Sequence, residues 1–349
     1  MNTLSCRRWL SAASLLVAAA FAAPAQAGVA ISPYSNLVVF GDSLSDSGNN
    51  AAALFGLGFL PTQPAAITSN AFVALLPSSA GTYSDGPVWV DAVATALLGS
   101  STPARASLLG GTNYASGGAE TSLNTPVPGL GVNTFSLQSQ VNFFLSTTGG
   151  VVDSSALYVV QGGANNVRRL LETGAAFDPM IVAQEAAAYA TDVGNLVDQL
   201  QLAGAQDIIV WNTPNVGLTP AALSLGSFAS TFSSSIASQF NASLATRLAG
   251  EGGVQTFDVF GAFTALAADP AAFGLSNVTD ACGNNALGCG SSPLFWDGIH
   301  PTAAGHALIA QGVLALALAP VPEPSTYALF SVGLIGCGWV VRRRRTLKR

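Results

Sequence analysis

The sequence has little basic charge. Its 349 residues include 12 lysines and arginines against 18 aspartates and glutamates. Residues 28–320 contain no lysine, 17 acidic residues and four arginines, which leaves a net charge of −13. A surface of this sign repels nucleic acid and anionic lipid headgroups. We therefore expect no nucleic-acid partner, and an exported protein that acts on neutral substrates.

Histidine is scarcer still. The whole chain contains two, His300 and His306. Histidine is the usual general base of a serine hydrolase, because its charge changes near neutral pH. If this chain uses a histidine in catalysis, the choice is therefore limited to these two residues.

The N-terminus lacks an apolar run long enough for an ordinary spanning helix. Arg7 and Arg8 precede the shorter stretch LSAASLLVAAAFAA, and the small-residue site AQA follows at Ala25–Ala27. A positive flank, a short apolar core and an A-x-A site are typical of a secretory signal peptide. We interpret residues 1–27 as such a signal, in preference to an N-terminal membrane anchor.

The C-terminal segment 321–349 has a different composition. It begins with VPEPSTYALF and continues as an apolar stretch to Val341. Four consecutive arginines follow, and the segment ends with TLKR. The stretch is short for a spanning helix, but its basic end is typical of a membrane-retained tail. The segment resembles the PEP-CTERM sorting signal of Gram-negative bacteria. The resemblance implies recognition by an exosortase near Pro322–Pro324 and removal of the tail; a permanent C-terminal anchor is the alternative.

The two ends together predict where the protein acts. We expect export across the inner membrane of a Gram-negative bacterium, and a periplasmic, cell-surface or secreted product. Membrane contact is expected only through the C-terminal segment before processing.

Cysteine is almost absent from the part between the two ends. Cys6 lies in the signal and Cys337 in the tail, which leaves Cys282 and Cys289 in the segment DACGNNALGCGSS. In an exported protein this pair favours a disulfide. A zinc site is the alternative, but no second CxxC or histidine pair accompanies these cysteines. We expect neither a metal nor a cofactor.

The body of the chain alternates between two kinds of segment. Amphipathic segments of helical character, the longest ending at Gly204, separate short apolar runs typical of strands. These runs are NLVVF (36–40), TNYAS (112–116), ALYVVQ (156–161), DIIVW (207–211) and VQTFDVF (254–260). The alternation predicts a parallel sheet with helices on both faces. We expect one domain over residues 28–320, with the Pro-, Ala- and Ser-rich region 54–82 as a loop or insertion.

The stretch VVFGDSLSDSGNN, residues 38–50, places small polar residues directly after the first predicted strand. Ser, Asp, Gly and Asn are turn formers, so the stretch is compatible with an ordinary turn. In open parallel sheets, however, the ligand crevice lies beyond the carboxyl ends of the strands. Ser43 is therefore a candidate nucleophile.

A serine nucleophile needs a base and a group that orients the base. Both histidines lie in FWDGIHPTAAGHALIA, and Asp297 stands three residues before His300. On a turn that leads into a helix, this spacing lets the carboxylate reach Nδ1 of His300. We take His300 as the base, Asp297 as its partner and His306 as a structural residue. A capping role for Asp297, or metal binding by the three side chains, is the alternative.

Ester hydrolysis also needs hydrogen-bond donors for the developing oxyanion. The segment NYASGGAET offers the backbone N–H groups of Gly117 and Gly118, and GGANN offers the side-chain amides of Asn165 and Asn166. Each segment taken alone is an ordinary turn. Their order behind successive strands makes them candidates.

In chain order these segments resemble the SGNH, or GDSL, family of lipases and esterases. The similar blocks are FGDSLSDSGNN, YSDGPVWVDAVA, NYASGGA, GGANN, WNTPNVGLTP and DGIHPT. The resemblance extends over nearly all of residues 36–316. It implies a three-layer α/β/α, flavodoxin-like fold with five parallel strands. The G-x-S-x-G motif of the common α/β-hydrolase elbow is absent from the sequence.

The resemblance implies a role for each candidate. Ser43 is the nucleophile and forms a triad with His300 and Asp297. The oxyanion donors are the N–H of Ser43, the N–H of Gly118 and the side-chain amide of Asn165.

The chain departs from the family pattern at one position. The third block usually ends in aspartate, but Asn166 stands there. The change removes a local carboxylate and leaves the preceding donor. In the second block, Gly118 is the best match for the donor and Gly117 is the alternative.

The sequence thus predicts a cofactor-free serine esterase or lipase that hydrolyses carboxylic esters through an acyl-enzyme. One alternative is a polysaccharide O-acetyl esterase that acts on acylated exopolysaccharide, because the sorting signal is associated with bacteria that produce exopolysaccharide. A second alternative is a non-catalytic surface or matrix protein on the same scaffold.

Overall fold

The computed structural model describes residues 32–58, 70–127, 131–282, 289 and 291–319. The predicted signal and tail lie outside these residues, as does part of the predicted loop 54–82. The chain forms two compact units, Met1–Leu316 and Ala317–Arg349. The sheet and the candidate site lie in the first unit.

Along most of this unit, one or more helices separate consecutive strands. No helix in the described part of the chain is both long and apolar enough to cross a membrane. In chain order the elements are β1 (Leu37–Phe40), α1 (Asn49–Gly56), α2 (Trp89–Leu98), α3 (Leu137–Thr147), β2 (Leu157–Val160), α4 (Ala164–Glu172), α5 (Pro179–Ala203), β3 (Asp207–Trp211), α6 (Pro220–Ser224), α7 (Ser227–Arg247), β4 (Val254–Phe257), α8 (Val259–Ala268), β5 (Asn277–Ala281), β6 (Pro293–Phe295) and α9 (Ala303–Ala317).

Strands β1 to β4 form one parallel sheet in the order β1-β2-β3-β4. The register pairs Leu37 with Leu157 and Leu157 with Asp207, so the first three strands begin at the same level. Their carboxyl ends therefore meet at one edge. The polar segments that follow β1, β2 and β3 are brought together there.

The predicted strand at 112–116 does not form a regular fifth strand. The segment runs parallel to β1 and makes an isolated bridge between Asn113 and Val39, and the N–H of Tyr114 donates to the Val39 carbonyl at 2.7 Å. Soon afterwards Gly118 has a left-handed backbone (φ 80°), which turns the chain away. Within the described residues the sheet therefore has four strands rather than the expected five.

Helices cover both faces of the sheet. Alternate residues of a strand point to opposite faces. On one face, Phe40 and Tyr158 belong to a buried cluster with residues of α3, α4, α5 and α7. On the other face, Trp211 lies against Trp89 of α2 and Phe257 of β4, each with ring centroids 4.9 Å apart. This is the predicted three-layer α/β/α arrangement.

Helix α5 illustrates why the sequence folds as predicted. The Asp178 side chain accepts a hydrogen bond from the Met180 N–H, and Pro179 occupies the first helical position. Gly204 ends the helix in a left-handed conformation, with φ of 118°. These signals bound a helix whose buried residues recur at helical spacing.

Two features were not predicted. Helix α1 begins at Asn49, inside the polar stretch that follows β1, and extends to Gly56, inside the region 54–82 that we expected to be a loop or insertion. Strands β5 and β6 form a separate parallel pair just before Asp297.

Helix α5 also allows a matched test of core packing. Leu200 is fully buried, whereas Leu202 on the same helix is 89% exposed. We expect Leu200→Ala to lower the free energy of unfolding by about 2–5 kcal/mol, because it removes buried methyl groups and leaves a cavity. Leu202→Ala should change it by less than about 0.5 kcal/mol. Urea unfolding followed by circular dichroism measures both, and equal effects would contradict this assignment of the core.

Candidate active site

The loop that carries Ser43 leaves β1 through a close approach at Gly41. A Cβ atom on Gly41 would lie 2.6 Å from Oε1 of Gln161 and 2.9 Å from Cβ of Ser45. Both distances are too short for any side chain. Glycine is therefore required here, and it lets the next residues fold back over the end of the sheet. Ser43 ends up 7% exposed, at the carboxyl end of the strand.

Two buried glutamines hold this loop. Gln140 accepts a hydrogen bond from the Gly41 N–H at 2.8 Å and donates to the Gly41 carbonyl at 2.9 Å. Gln161 Oε1 accepts from the Asp42 N–H at 3.1 Å and from the Ser45 hydroxyl at 2.9 Å. Sequence reasoning missed both glutamines, because no motif marks them.

Asp46 holds the part of the loop that follows Ser43. Its carboxylate accepts hydrogen bonds from the N–H groups of Gly48 (2.8 Å), Asn49 (2.7 Å), Asn50 (3.3 Å) and Gly117 (3.0 Å). The side chain is fully buried, and burial raises its pKa to about 6, with these hydrogen bonds acting in the opposite direction. Asp46 thus joins the Ser43 loop to the Gly117–Gly118 turn.

Ser43, His300 and Asp297 form a continuous chain of hydrogen bonds. The Ser43 Oγ lies 2.9 Å from Nε2 of His300, and Nδ1 of His300 lies 2.7 Å from Oδ2 of Asp297. His300 and Asp297 are 2% and 0% exposed. The structure thus brings together the three side chains that the sequence predicts as a triad, and their catalytic roles stay a prediction.

The Asp297 carboxylate accepts hydrogen bonds from other groups besides the His300 ring. Its Oδ1 accepts from the N–H groups of Ile299 (2.8 Å) and His300 (2.6 Å), and its Oδ2 accepts from the Ala74 N–H at 2.8 Å. Burial acts to raise the pKa of Asp297, but the charge of His300 and these hydrogen bonds lower it below its ordinary value. Ala74 lies in the predicted loop 54–82, so part of that loop supports the site.

The expected oxyanion donors lie around Ser43. Gly118 and Asn165 line one cavity together with Ser43 and His300. The N–H of Gly117 already donates to Asp46, whereas in the described part of the chain the N–H groups of Ser43 and Gly118 donate to no protein acceptor. This difference favours Gly118 over Gly117.

Asn165 is held in position through its own amide. Its Nδ2 donates to the Ala119 carbonyl at 3.0 Å, which uses one of its two hydrogens. The other hydrogen remains for a ligand. Asn166, which replaces the usual aspartate, is buried and donates to Oγ1 of Thr121 at 3.1 Å, away from the reacting atoms.

Gly117 has a packing role that the sequence did not reveal. A Cβ atom there would lie 2.2 Å from the Tyr83 ring. The Tyr83 hydroxyl accepts a hydrogen bond from Nδ2 of Asn50 at 2.8 Å, and its ring centroid is 5.3 Å from that of His300. Tyr83 therefore closes one side of the site, and burial raises its pKa above the ordinary value.

Two cavities have Ser43 and His300 in their linings. The smaller, of about 200 Å³, is lined by polar groups of Asn50, Ser116 and Thr134, by the candidate oxyanion donors, and by aliphatic side chains such as those of Leu54 and Leu75. The larger, of about 440 Å³, has a mostly apolar lining. Its apolar residues include Leu171, Phe177, Val216, Leu225, Phe228, Phe232, Phe263 and Ile299.

The two cysteines are close to this site. Cys282 follows β5 and is joined to Cys289 by a disulfide, with the Cα atoms 5.3 Å apart. Cys289 belongs to a small buried cluster with Ala74, Tyr83 and Trp296. Within the described residues no group of three or more His, Cys, Asp or Glu side chains could hold a metal ion.

Family models match two parts of the chain. The GDSL-like Lipase/Acylhydrolase model matches residues 37–313, so the chain belongs to this family. The match confirms the family inferred from the motif blocks, and with it the α/β fold class. The PEP-CTERM protein-sorting motif matches residues 320–345, which indicates export in a Gram-negative bacterium.

Relatives of the chain include two proteins named as esterases and one named as an acyltransferase. Esterase EstA of Pseudomonas aeruginosa is 33% identical over 336 residues, which cover 83% of this chain and 48% of that protein. Esterase EstA of Pseudomonas putida matches with the same values. Phosphatidylcholine-sterol acyltransferase of Aeromonas hydrophila is 28% identical over 253 residues, 71% of this chain and 65% of that protein. The chain spans about half the length of the two EstA proteins.

The second histidine, His306, is buried in α9. It is 1% exposed, and its ring nitrogens have no hydrogen-bond partner among the described residues. Burial, together with the nearby charge of His300, lowers its pKa to about 3. His306 is therefore neutral in the folded protein, as the structural role requires.

This environment predicts a pH dependence of stability. Below pH 6.5 the unfolded chain protonates His306 and the folded chain does not, so stability falls as the pH decreases towards 3. Between pH 7.5 and 5 we expect the wild type to lose about 2 kcal/mol more than His306→Phe or His306→Gln. Urea titrations at each pH measure the difference, and parallel pH profiles would contradict it.

Proposed function

We propose that the chain is an exported serine esterase that hydrolyses carboxylic esters through an acyl-enzyme. The observation that carries the proposal is the hydrogen-bonded series Ser43–His300–Asp297 beside N–H groups that have no protein acceptor among the described residues. Membership of the GDSL-like lipase/acylhydrolase family and the EstA relatives support the same class of reaction.

In this mechanism His300 takes the proton from the Ser43 hydroxyl as Oγ attacks the ester carbonyl. Asp297 orients the ring through Nδ1 and stabilises its positive charge. The protonated His300 then gives the proton to the departing alcohol, which leaves an acyl group on Ser43. Water activated by His300 attacks this acyl group and releases the acid.

The negative oxygen of the tetrahedral intermediate needs hydrogen bonds that exist before the reaction begins. We assign this function to the N–H groups of Ser43 and Gly118 and to the second amide hydrogen of Asn165. Hydrogen bonds hold two of these groups in place. The turn that contains Gly118 is joined to Asp46 through the Gly117 N–H, and the Asn165 amide donates to the Ala119 carbonyl.

The larger cavity supports a preference for apolar acyl groups. Its lining is mostly aliphatic and aromatic, and it begins at Ser43. Apolar surface in such a cavity gains free energy when a chain displaces water from it. An acetyl group would leave most of this cavity unfilled. The cavity therefore favours a carboxylesterase or lipase over the polysaccharide O-acetyl esterase.

We further propose that the signal at residues 1–27 is removed during export and that an exosortase removes the tail at 321–349. The sorting motif matched at residues 320–345 supports the second step. The product would then be periplasmic, on the cell surface or secreted. The intact series of Ser43, His300 and Asp297 weighs against a non-catalytic matrix protein.

The mechanism predicts that Ser43→Ala lowers kcat for p-nitrophenyl butyrate by at least about a thousandfold, because no other hydroxyl replaces the nucleophile. Asn165→Ala should lower kcat by about a hundredfold to a thousandfold, as expected for loss of one oxyanion donor. Both are measured by release of p-nitrophenolate from the purified chain. Ser47→Ala, in the same loop, is the control and should keep most of the activity. Unchanged hydrolysis by a folded Ser43→Ala protein would refute the mechanism.

The cavity predicts an order of substrates. Because each buried methylene contributes about 0.8 kcal/mol, kcat/KM should rise from p-nitrophenyl acetate through butyrate to octanoate. Filling the cavity with Val216→Trp should lower the value for octanoate more than that for acetate. A wild-type preference for acetate would instead support the O-acetyl esterase.

A further inference from the structure

Arg168 differs from the other arginines of the body. Arg169 contacts Glu120 at 2.8 Å and Glu185 at 2.7 Å, and Arg247 contacts Asp198 and Glu251, each at 2.6 Å. These two guanidinium groups each connect a pair of carboxylates, which is a structural use of arginine. Arg105 is exposed on the surface.

The charge of Arg168 is only weakly paired. Its Nε lies 3.3 Å from Oε1 of Glu172, one turn further along α4, and the Glu172 side chain is 66% exposed. Exposed pairs of this kind contribute little, and a ligand can replace them. In the described part of the chain no other carboxylate lies within ion-pair distance of Arg168.

Arg168 lies where the two cavities meet the nucleophile. It lines both of them, together with Ser43, Asn165 and His300. Among the described residues, Arg168 is thus the one lysine or arginine that lines either cavity at Ser43, in a body whose net charge is −13. The guanidinium fork matches the oxygen pairs of a phosphate better than an ammonium does.

We propose that Arg168 is a specificity-determining residue that binds a phosphate group on the alcohol portion of an acyl ester. This inference rests on the proposed esterase function. The acyl chain occupies the larger cavity, whose lining is the more apolar of the two, and the alcohol portion occupies the smaller cavity. Because Arg168 also lines the smaller cavity, a phosphate on the alcohol lies beside it. The net negative charge of the whole surface predicts neutral substrates. At the site itself, the positive charge of Arg168 opposes this negative charge.

Arg168 also lies near Asp42. The competing explanation for the position of Arg168 is therefore that it only neutralises the charge of the Asp42 carboxylate. Asp42 is fully buried, its Oδ1 accepts from the Leu44 N–H at 2.9 Å, and burial is the main influence on its pKa, which is raised. Arg168 is a minor, opposing influence. A purely structural role would alter the hydrolysis of all esters alike, whereas phosphate recognition alters their ratio.

The test compares two esters with the same acyl chain, 1-octanoylglycerol 3-phosphate and 1-octanoylglycerol, below the concentrations at which they aggregate. Octanoate release gives kcat/KM for each, and the ratio of the phosphorylated to the neutral ester is the readout. We expect Arg168→Gln to lower this ratio by about tenfold or more, as for loss of a charge-assisted hydrogen bond. Arg168→Lys should give an intermediate ratio.

Two further variants make the test specific. Arg105→Gln removes the same charge from the exposed surface and should leave the ratio within about twofold of the wild type. Glu172→Gln removes the competing carboxylate and should raise the ratio, an effect that misfolding does not produce.

Each outcome separates this inference from the function on which it rests. Hydrolysis of both esters with a ratio that Arg168→Gln leaves unchanged would overturn the role of Arg168 and leave the esterase intact. A folded wild-type chain that hydrolyses neither these esters nor p-nitrophenyl esters would overturn the esterase itself. A lower ratio in Arg105→Gln as well would assign the effect to overall charge, and the role of Arg168 would be rejected.

Discussion

The burial of the Asp297 carboxylate is the constraint around which the site is organised. A carboxylate with no exposed surface is costly unless hydrogen bonds replace its hydration. Here the replacements come from the His300 ring and from the N–H groups of Ile299, His300 and Ala74. Two separate parts of the chain, the 297–300 turn and the segment at Ala74, must therefore converge on one side chain. The same convergence holds the His300 ring at hydrogen-bond distance from Ser43, so the burial of the Asp297 carboxylate and the position of the ring relative to Ser43 have one cause.

The two cavities at Ser43 differ in polarity because different parts of the chain build them. Turns behind β1 and near Gly118 expose backbone and amide groups, so the smaller cavity is more polar than the larger one, although aliphatic side chains such as Leu54 and Leu75 also line it. The larger cavity is built by helices α4 and α7 and the segment after β3, whose apolar residues face it. Under the proposed function, a substrate with one apolar end and one more polar end matches this division, with its ester bond at the boundary beside Ser43.

Much of the fold and the site could be predicted because short-range signals specify them. The run DIIVW coincides with β3, Gly204 ends α5 as expected, and the motif blocks contain the residues that meet at Ser43. What could not be predicted depends on contacts distant in sequence. Gln140 and Gln161 become important only because Gly41 approaches them, and 112–116 remains a bridge because the chain turns at Gly118. No local pattern distinguishes these residues from ordinary polar or glycine positions.

Ser43 and His300 are separated by 257 residues along the chain. Any fragment that ends before residue 300 therefore contains Ser43 without its hydrogen-bond partner. The hydrogen bond between them is a long-range contact, which forms only when segments from the two ends of the α/β unit have come together.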